Sequence, residues 1–349
     1  MASIFEDRNR YSRDRLGELR ARLDKAEHLI RGKACVYITG SFGRGEASPR
    51  SDLDLFIVGG SSPGGIGGGE RDLCRLDEIC LKADLIRTSQ ELKLPKFSGD
   101  GEYLVHHTVG ELTKELGGPL DDAKNTFTAR MLLLLESRPL LGEDIYEKVI
   151  KDVIASYWRD YQLHSTAFMP AFLANDILRM WRTFCVNYEA RTSSEPVKEK
   201  AKRRLKNYKL KHSRLLTCYS ALGFLLGVHL KSKTVTPDDA RRMVSLSPIG
   251  RLESLKADFP GKAASNVDRL LEATAASWIR QPRRRQPCWR NSSTIRPDDP
   301  TRRARVSSVI WFLRSSALSE KTTRSFACSS SRGDRSRSCG LFRLGAARR

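Results

Sequence analysis

The residues of this chain best suited to chemistry are two carboxylates that follow a glycine-rich turn. Asp52 and Asp54 flank Leu53, and ten residues separate Asp52 from Ser41 in that turn. In an extended strand, residues i and i+2 point to the same side, so the two carboxylates project together. Carboxylates this close repel each other unless a cation neutralises them, and Mg²⁺ held by carboxylates and substrate phosphates is the simplest solution.

The turn itself suits a phosphate. A short β-rich run, Cys35–Thr39, ends in the segment GSFGRG at residues 40–45. Glycine has no Cβ, so its backbone amides can approach an anion closely, and Ser41 can add a hydroxyl donor. A phosphate-binding turn beside carboxylates that share a metal is the apparatus of phosphoryl or nucleotidyl transfer. For the carboxylates alone, the alternative is a surface turn before an ordinary strand.

Residues 40–58, GSFGRGEASPRSDLDLFIV, resemble the DNA polymerase β-like nucleotidyltransferase superfamily. Within it they look most like the nucleotidyltransferase domain of the PII-protein uridylyltransferases and their bacterial relatives. The family's Gly-Ser pair maps to Gly40 and Ser41, and its metal carboxylates map to Asp52 and Asp54. The resemblance implies a small mixed sheet flanked by helices and a nucleoside triphosphate (NTP) substrate, such as ATP, bound with Mg²⁺ or Mn²⁺.

One departure from the uridylyltransferases is clear. The bifunctional members add a metal-dependent hydrolase domain built around a His-Asp dipeptide, and no such dipeptide occurs in this chain. We therefore expect no reversal of the transfer by a second domain of that kind.

The resemblance also implies a third metal carboxylate on a later strand. Glu102 opens the predicted strand Glu102–His107 and is the best-placed candidate to join the aspartate pair as a catalytic and metal-binding residue. Asp100, in a Gly-Asp-Gly turn, is the alternative, and Asp84 on a predicted helix is less well placed. The structural alternative for Glu102 is that it is a solvated residue at the end of a strand, without a role in metal binding.

Basic residues are candidates for binding the nucleotide. Arg44 follows the glycine turn and could reach a triphosphate, or it could pair with Glu46 or Asp52. In the helical domains of the superfamily a lysine commonly touches the triphosphate. The resemblance therefore suggests this role for Lys209 or Lys211, which end a basic stretch that is otherwise a solvated helix face.

A second helical segment carries polar residues at spacings of three and four. Asn175, Asp176, Arg179 and Arg182 lie on a helix that is otherwise apolar. A structural Asp–Arg network explains this spacing, and the alternative is that Arg179 or Asn175 faces the nucleotide.

Hydrophobic periodicity predicts an α+β protein in three parts. Residues 1–118 form a nucleotidyltransferase domain with a small mixed sheet, residues 119–279 form an all-helical domain, and residues 280–349 form an Arg/Ser-rich tail. The strands are expected at residues 35–39, 53–58 and 102–107, with no strand after the third.

Charge is concentrated at the C-terminal end. The chain has a net charge of +21, and +13 of it lies in residues 281–349. Basicity of the whole chain is therefore weak evidence for a nucleic-acid partner. The tail has three interpretations: a disordered segment, a basic tail that binds nucleic acid, or residues translated after loss of the reading frame.

Several classes of protein are not expected. No run reaches the ~18 apolar residues of a membrane helix, and the charged start MASIFEDRNRYSRDR has no secretory h-region. The eight cysteines form no CxxC pair, which favours a reduced, cytoplasmic chain without a disulfide framework. We expect no membrane partner.

The sequence therefore predicts a metal-dependent nucleotidyltransferase that moves a nucleoside monophosphate from an NTP to an acceptor hydroxyl, with release of pyrophosphate. The acceptor is left open between a protein side chain, an RNA end, a small molecule and a second nucleotide. The alternatives are a nucleic-acid-binding module and a regulatory nucleotide-binding protein without turnover. A pure binding module has no need of two adjacent, repelling carboxylates.

Overall fold

The computed structural model describes residues 2–62, 70–95, 97, 101, 104–192 and 207–280. The predicted residues Glu102 and Asp100 and residues 281–349 of the Arg/Ser-rich tail lie outside these ranges. Arg280, the first residue of that predicted tail, is the last residue of a helix.

The described chain is an α+β protein with most of its helices after the sheet. The strands are β1 (Ala34–Thr39), β2 (Asp54–Gly59), β3 (Ser61–Ser62), β4 (Glu70–Arg71), β5 (His106–Thr108) and β6 (Arg138–Leu141). The helices are α1 (Ala2–Arg20), α2 (Asp24–Ile30), α3 (Gly40–Gly43), α4 (Arg75–Glu91), α5 (Val109–Lys114), α6 (Pro119–Ala123), α7 (Thr126–Glu136), α8 (Glu143–Tyr157), α9 (Ala171–Thr192), α10 (Leu215–Ser232), α11 (Pro237–Ser245), α12 (Pro248–Asp258) and α13 (Lys262–Arg280). A 3₁₀ turn spans Tyr161–Leu163, and a π turn, Leu210–Arg214, precedes α10.

A mixed four-stranded sheet in the order β5-β2-β1-β6 lies at the centre. β1 pairs antiparallel with β2, and Thr39 lies opposite Asp54. β1 also pairs antiparallel with β6, whereas β2 and β5 are parallel. The small mixed sheet expected from the sequence is therefore confirmed.

The expectation that no strand follows residue 118 was wrong, because β6 (Arg138–Leu141) forms an edge of the sheet. Its four residues include Pro139, which lacks an amide hydrogen and is tolerated mainly on edge strands. A register shift between Val36 and Tyr37 makes the pairing irregular. Such a segment has no period-2 pattern of its own, since its conformation comes from pairing with β1. The division into domains at residue 118 stays a prediction.

Both faces of the sheet are covered by helices. Val36 and Ile38 of β1 pack with Leu55 of β2 into the core shared with α1, α2 and α4. The alternate residues Tyr37 and Phe56 point to the opposite face and pack into the core shared with α7 to α11. The helices that follow residue 118 therefore cover one face of the sheet directly.

One helical stretch, Asn207–Ser232, is long and apolar enough to span a membrane by length and composition. Of its most apolar window, 56% is buried inside the protein. Cys218, Ala221 and Leu225 of α10 are fully buried. Its hydropathy is accounted for by its position in the core shared with α7.

Candidate active site

The glycine turn and the first strand carboxylate are in close contact. β1 ends at Thr39, and Gly40 follows with φ of +66°, a conformation that favours glycine. A Cβ on Gly40 would lie 2.4 Å from the Oδ2 of Asp54. The lack of a side chain at residue 40 therefore lets the Asp54 carboxylate lie against the start of α3.

Asp52 and Asp54 lie where β2 begins, and both are half-buried. Leu53 between them is buried in the core with α1, α2 and α4. Asp54 shares its strand face with Phe56 and Val58, which pack into the core under α7 to α11. The Asp54 carboxylate thus points to the face of the sheet that the helical region covers.

The two aspartates are the candidate metal ligands on the described part of the chain. No group of three or more His, Cys, Asp or Glu residues able to hold a metal occurs among the described residues. Glu102, the predicted third ligand, lies outside them, so its role stays a prediction.

Glu136, at the end of α7, is a site residue that the sequence analysis missed. Its carboxylate is fully buried and accepts hydrogen bonds from the Gly40 amide at 3.1 Å and from the Thr217 hydroxyl at 3.0 Å. Arg44 Nη1 lies 2.6 Å and Arg214 Nη1 lies 2.8 Å from its two oxygens. Burial opposes ionisation, but these two guanidinium groups outweigh it and lower the pKa of Glu136. An ionised carboxylate therefore anchors the first amide of the turn.

A signal for Glu136 was present in the sequence. It closes the apolar run Met131–Leu135 on the predicted helix, and a carboxylate in such a run must find buried partners. The sequence gives no way to see that those partners are the glycine turn and α10.

Of the two interpretations of Arg44, the observed contacts are those of the structural one, in which its guanidinium pairs with carboxylates. Its side chain is buried, and Nε lies 2.9 Å from Glu46 while Nη1 contacts Glu136. Burial lowers the pKa of Arg44, but the two carboxylates outweigh that effect and raise it. Its contact with a triphosphate stays a prediction. Ser41, in contrast, is partly exposed on α3.

The predicted lysines lie on a segment that is tied to the turn. Lys209 precedes the π turn, Lys211 lies within it, and both are exposed. From the same π turn, Ser213 donates to Glu46 at 2.9 Å and Arg214 pairs with Glu136. The segment that carries the two lysines is therefore tied, by side-chain contacts, to the residues that hold the glycine turn.

Arg179 of α9 lies in an Asp–Arg network. Its guanidinium stacks 3.9 Å from the ring centroid of Phe127 and pairs with Asp122 at 2.8 Å and with Asp121 at 3.5 Å. Asn175 is exposed on the same helix. These contacts are those expected of a structural Asp–Arg network within the helical core.

Other ionisable residues on β5 and α4 also have protein partners or are buried. His106 is buried on β5, with Nδ1 3.3 Å from Glu78 of α4, and His107 is buried beside it. Asp84 lies on α4, where its carboxylate is 3.5 Å from Arg87.

Residues 18–98 match the family model of the nucleotidyltransferase domain. The match includes Gly40, Ser41, Asp52 and Asp54, and it supports the superfamily that these residues resemble. No curated protein and no solved structure matches the chain. The chain thus carries an N-terminal nucleotidyltransferase domain followed by a mainly helical region. The finer similarity to PII uridylyltransferase-like proteins stays a prediction.

Proposed function

We propose that this protein transfers a nucleoside monophosphate from an NTP to an acceptor hydroxyl and releases pyrophosphate. The observation that carries the proposal is the contact between Gly40 and Asp54, in which a carboxylate oxygen occupies the space beside a glycine Cα. This contact joins a turn suited to phosphate with a ligand suited to Mg²⁺. The family match over the same residues supports the same chemistry.

The donor set fits Mg²⁺ or Mn²⁺. Asp52 and Asp54 offer hard carboxylate oxygens, and Mg²⁺ is usually bound by one or two protein carboxylates together with substrate phosphates. Glu102 would be a third ligand. When bound, the metal would neutralise charge on the phosphates and polarise the α-phosphate.

The chain's own residues would bind and orient the triphosphate. The Ser41 hydroxyl and the amides of α3 would donate to phosphate oxygens, while Glu136 holds the Gly40 amide in place. Lys209 and Lys211 would add positive charge at the rim, since lysine binds phosphate as a point charge.

Transfer is expected to require a divalent cation, since two carboxylates without one repel the triphosphate. Pyrophosphate release would be measured with each NTP in lysate-derived acceptor mixtures, and the products identified by mass spectrometry. Excess chelator should abolish release, and added Mg²⁺ or Mn²⁺ should restore it. Full turnover in chelator would contradict the metal assignment.

Reversing the charge of Lys209 and Lys211 together, as Lys209→Glu/Lys211→Glu, should raise the KM for the NTP by about tenfold or more with a smaller change in kcat. The lysines would act on ground-state phosphates, whereas the metal acts in the transition state. The matched control is Lys148→Glu/Lys151→Glu on α8, where two exposed lysines have the same charge change. If both double variants have the same KM for the NTP, the basic stretch is a solvated helix face that does not contact the NTP.

The competing functions are nucleic-acid binding and nucleotide-dependent regulation without turnover. Neither predicts pyrophosphate release, so the same assay separates them from transfer.

We also propose a cytoplasmic location. The described cysteines are all free, which agrees with a reducing compartment. Burial raises the pKa of the Cys35 thiol to about 12, so this thiol is an unreactive part of the core.

A further inference from the structure

An exposed face of α1 carries arginines that the proposed transfer does not use. Arg13 and Arg20 are both exposed and lie seven residues apart. Seven residues are close to two helical turns, so both side chains leave the same face, about 10 Å apart along the axis. Glu6, one further heptad towards the N-terminus, ends this basic face.

Gly17 lies between the two arginines. It is exposed in the interior of α1, and a Cβ built on it would meet nothing within 4 Å. Glycine in a helix interior costs about 1 kcal/mol relative to alanine, and no neighbouring atom in the described chain requires it here. Its effect is to leave a notch over the helix between Arg13 and Arg20.

The edge strand β6 adds a third arginine. Arg20 donates to the carbonyl of Leu140 at 3.2 Å and to that of Pro139, which holds it beside β6. Arg138 of β6 contacts Asn9 Oδ1 at 3.4 Å. Burial and the charges of Arg13 and Arg20 lower the pKa of Arg138.

These three guanidinium groups have no acidic partner among the residues that the structure describes. Within the described ranges, no carboxylate lies within 4.0 Å of Arg13, Arg20 or Arg138. Most other arginines of α1 differ in this respect: Arg10 pairs with Asp7, and Arg15 pairs with Glu18. No ion pair within the described ranges therefore offsets the charge on this face.

Arg138, the third arginine of this face, borders the glycine-rich segment. A Cβ on Gly45 would lie 2.8 Å from Arg138 Nη2 and 3.0 Å from Asn9 Oδ1. A ligand on this face would therefore lie next to the end of the segment that begins with Gly40. We call the set Arg13, Gly17, Arg20 and Arg138 the α1 arginine surface.

We propose that the α1 arginine surface binds nucleic acid through its phosphate backbone. Guanidinium groups donate charge-assisted hydrogen bonds to phosphate oxygens and are only weakly hydrated. Two of them spread over two turns of α1, with Arg138 beside them on β6, suit a row of phosphates better than a single anion. The notch at Gly17 lets the row approach the helix. The surface offers charge without groups arranged to read base edges, so binding depends on salt and little on sequence.

The test is binding of fluorescent RNA and DNA oligonucleotides of mixed sequence to the full chain, measured by anisotropy at several salt concentrations. The variant is Arg13→Gln/Arg20→Gln/Arg138→Gln. The matched control is Arg22→Gln/Arg87→Gln/Arg159→Gln, which removes the same charge from exposed arginines elsewhere. Both keep the basic residues 281–349, so any contribution of that segment is common to both.

The variant should weaken binding by about tenfold or more, and its salt slope should fall by about 2, since each phosphate contact on a single strand contributes about 0.7. The control should bind nearly as the parent does. Equal losses in the variant and the control would overturn the proposal. So would competition by polyglutamate as strong as that by RNA of equal charge, because the surface would then fit an acidic protein.

A second pair of variants covers the case in which the triple variant unfolds. Gly17→Glu places a carboxylate in the notch and should weaken nucleic-acid binding, whereas Gly17→Ala should keep binding and raise the melting temperature. Unchanged binding by Gly17→Glu would overturn the proposal. No NTP or metal is present in these measurements, so they stand or fall independently of the proposed transfer.

Discussion

Asp54→Asn is expected to reduce nucleotide transfer by more than about 100-fold while leaving the protein folded. Loss of a group that only hydrogen-bonds to a metal ligand already costs about 10–100-fold at metal sites, and Asp54 would be a direct ligand. The same result is expected for Asp52→Asn. The fold should persist because removing one of two neighbouring carboxylates relieves their repulsion in the metal-free protein. Pyrophosphate release and circular dichroism measure the two parts of this expectation.

The matched control for the aspartates is Asp144→Asn, an exposed carboxylate on α8 outside the site. It should keep parental activity. The aspartate variants should lose kcat and require more Mg²⁺ for any residual rate, whereas a purely structural role would lower stability and leave the Mg²⁺ requirement unchanged. If either aspartate variant turns over at the parental rate, that aspartate is not a metal ligand required for transfer.

Glu136→Gln is expected to lower the free energy of unfolding by about 3–5 kcal/mol, the usual cost of removing one partner from a buried ion pair. The neutral amide leaves the buried guanidinium of Arg44 with Glu46 alone, and it leaves Arg214 without the carboxylate it contacts. Urea denaturation measures the loss, with Glu147→Gln on the exposed face of α8 as the control. A variant as stable as the parent would show that this network contributes nothing net.

The same residue predicts a dependence on pH. The pKa of Glu136 is lowered in the folded protein from its ordinary value of 4.5. Its stabilising contribution is therefore complete above that value and is lost as the pH falls through the lowered pKa. The difference in stability between the parent and Glu136→Gln should shrink in acid, measured by urea denaturation at neutral pH and at about pH 3. If the difference in stability is the same at both pH values, ionisation of Glu136 does not contribute to the pH dependence.

The turn and the aspartate pair could be predicted because their geometry is local. Gly40 directly follows β1 and Asp54 begins β2, and these two strands pair directly, so the spacing between Gly40 and Asp54 already fixes which residues meet. The positive φ of Gly40 and the burial of Leu53 follow from the same pattern of glycine and alternating apolar residues. The family match spans this segment for the same reason.

Glu136 could not be placed from the sequence, because its partner Gly40 is 96 residues away. The contact exists only once α7 lies across the sheet and α10 brings Arg214 and Thr217 to the same carboxylate. Periodicity identifies the helices but not which of their ends meet. β6 escaped prediction likewise, since its strand conformation depends on pairing with β1.

The position of β6 has a consequence for the order of events during synthesis on the ribosome. β1 and β2 can pair as soon as residue 59 has emerged, but the other edge of β1 stays open until residues 138–141 follow. The Gly40 amide can donate to the Glu136 carboxylate only at that stage, and Arg214 and Thr217 are added later still. A nascent chain therefore holds the carboxylate pair long before it holds a rigid turn. The Glu136 carboxylate has all of the partners described above only after residue 217 has been translated.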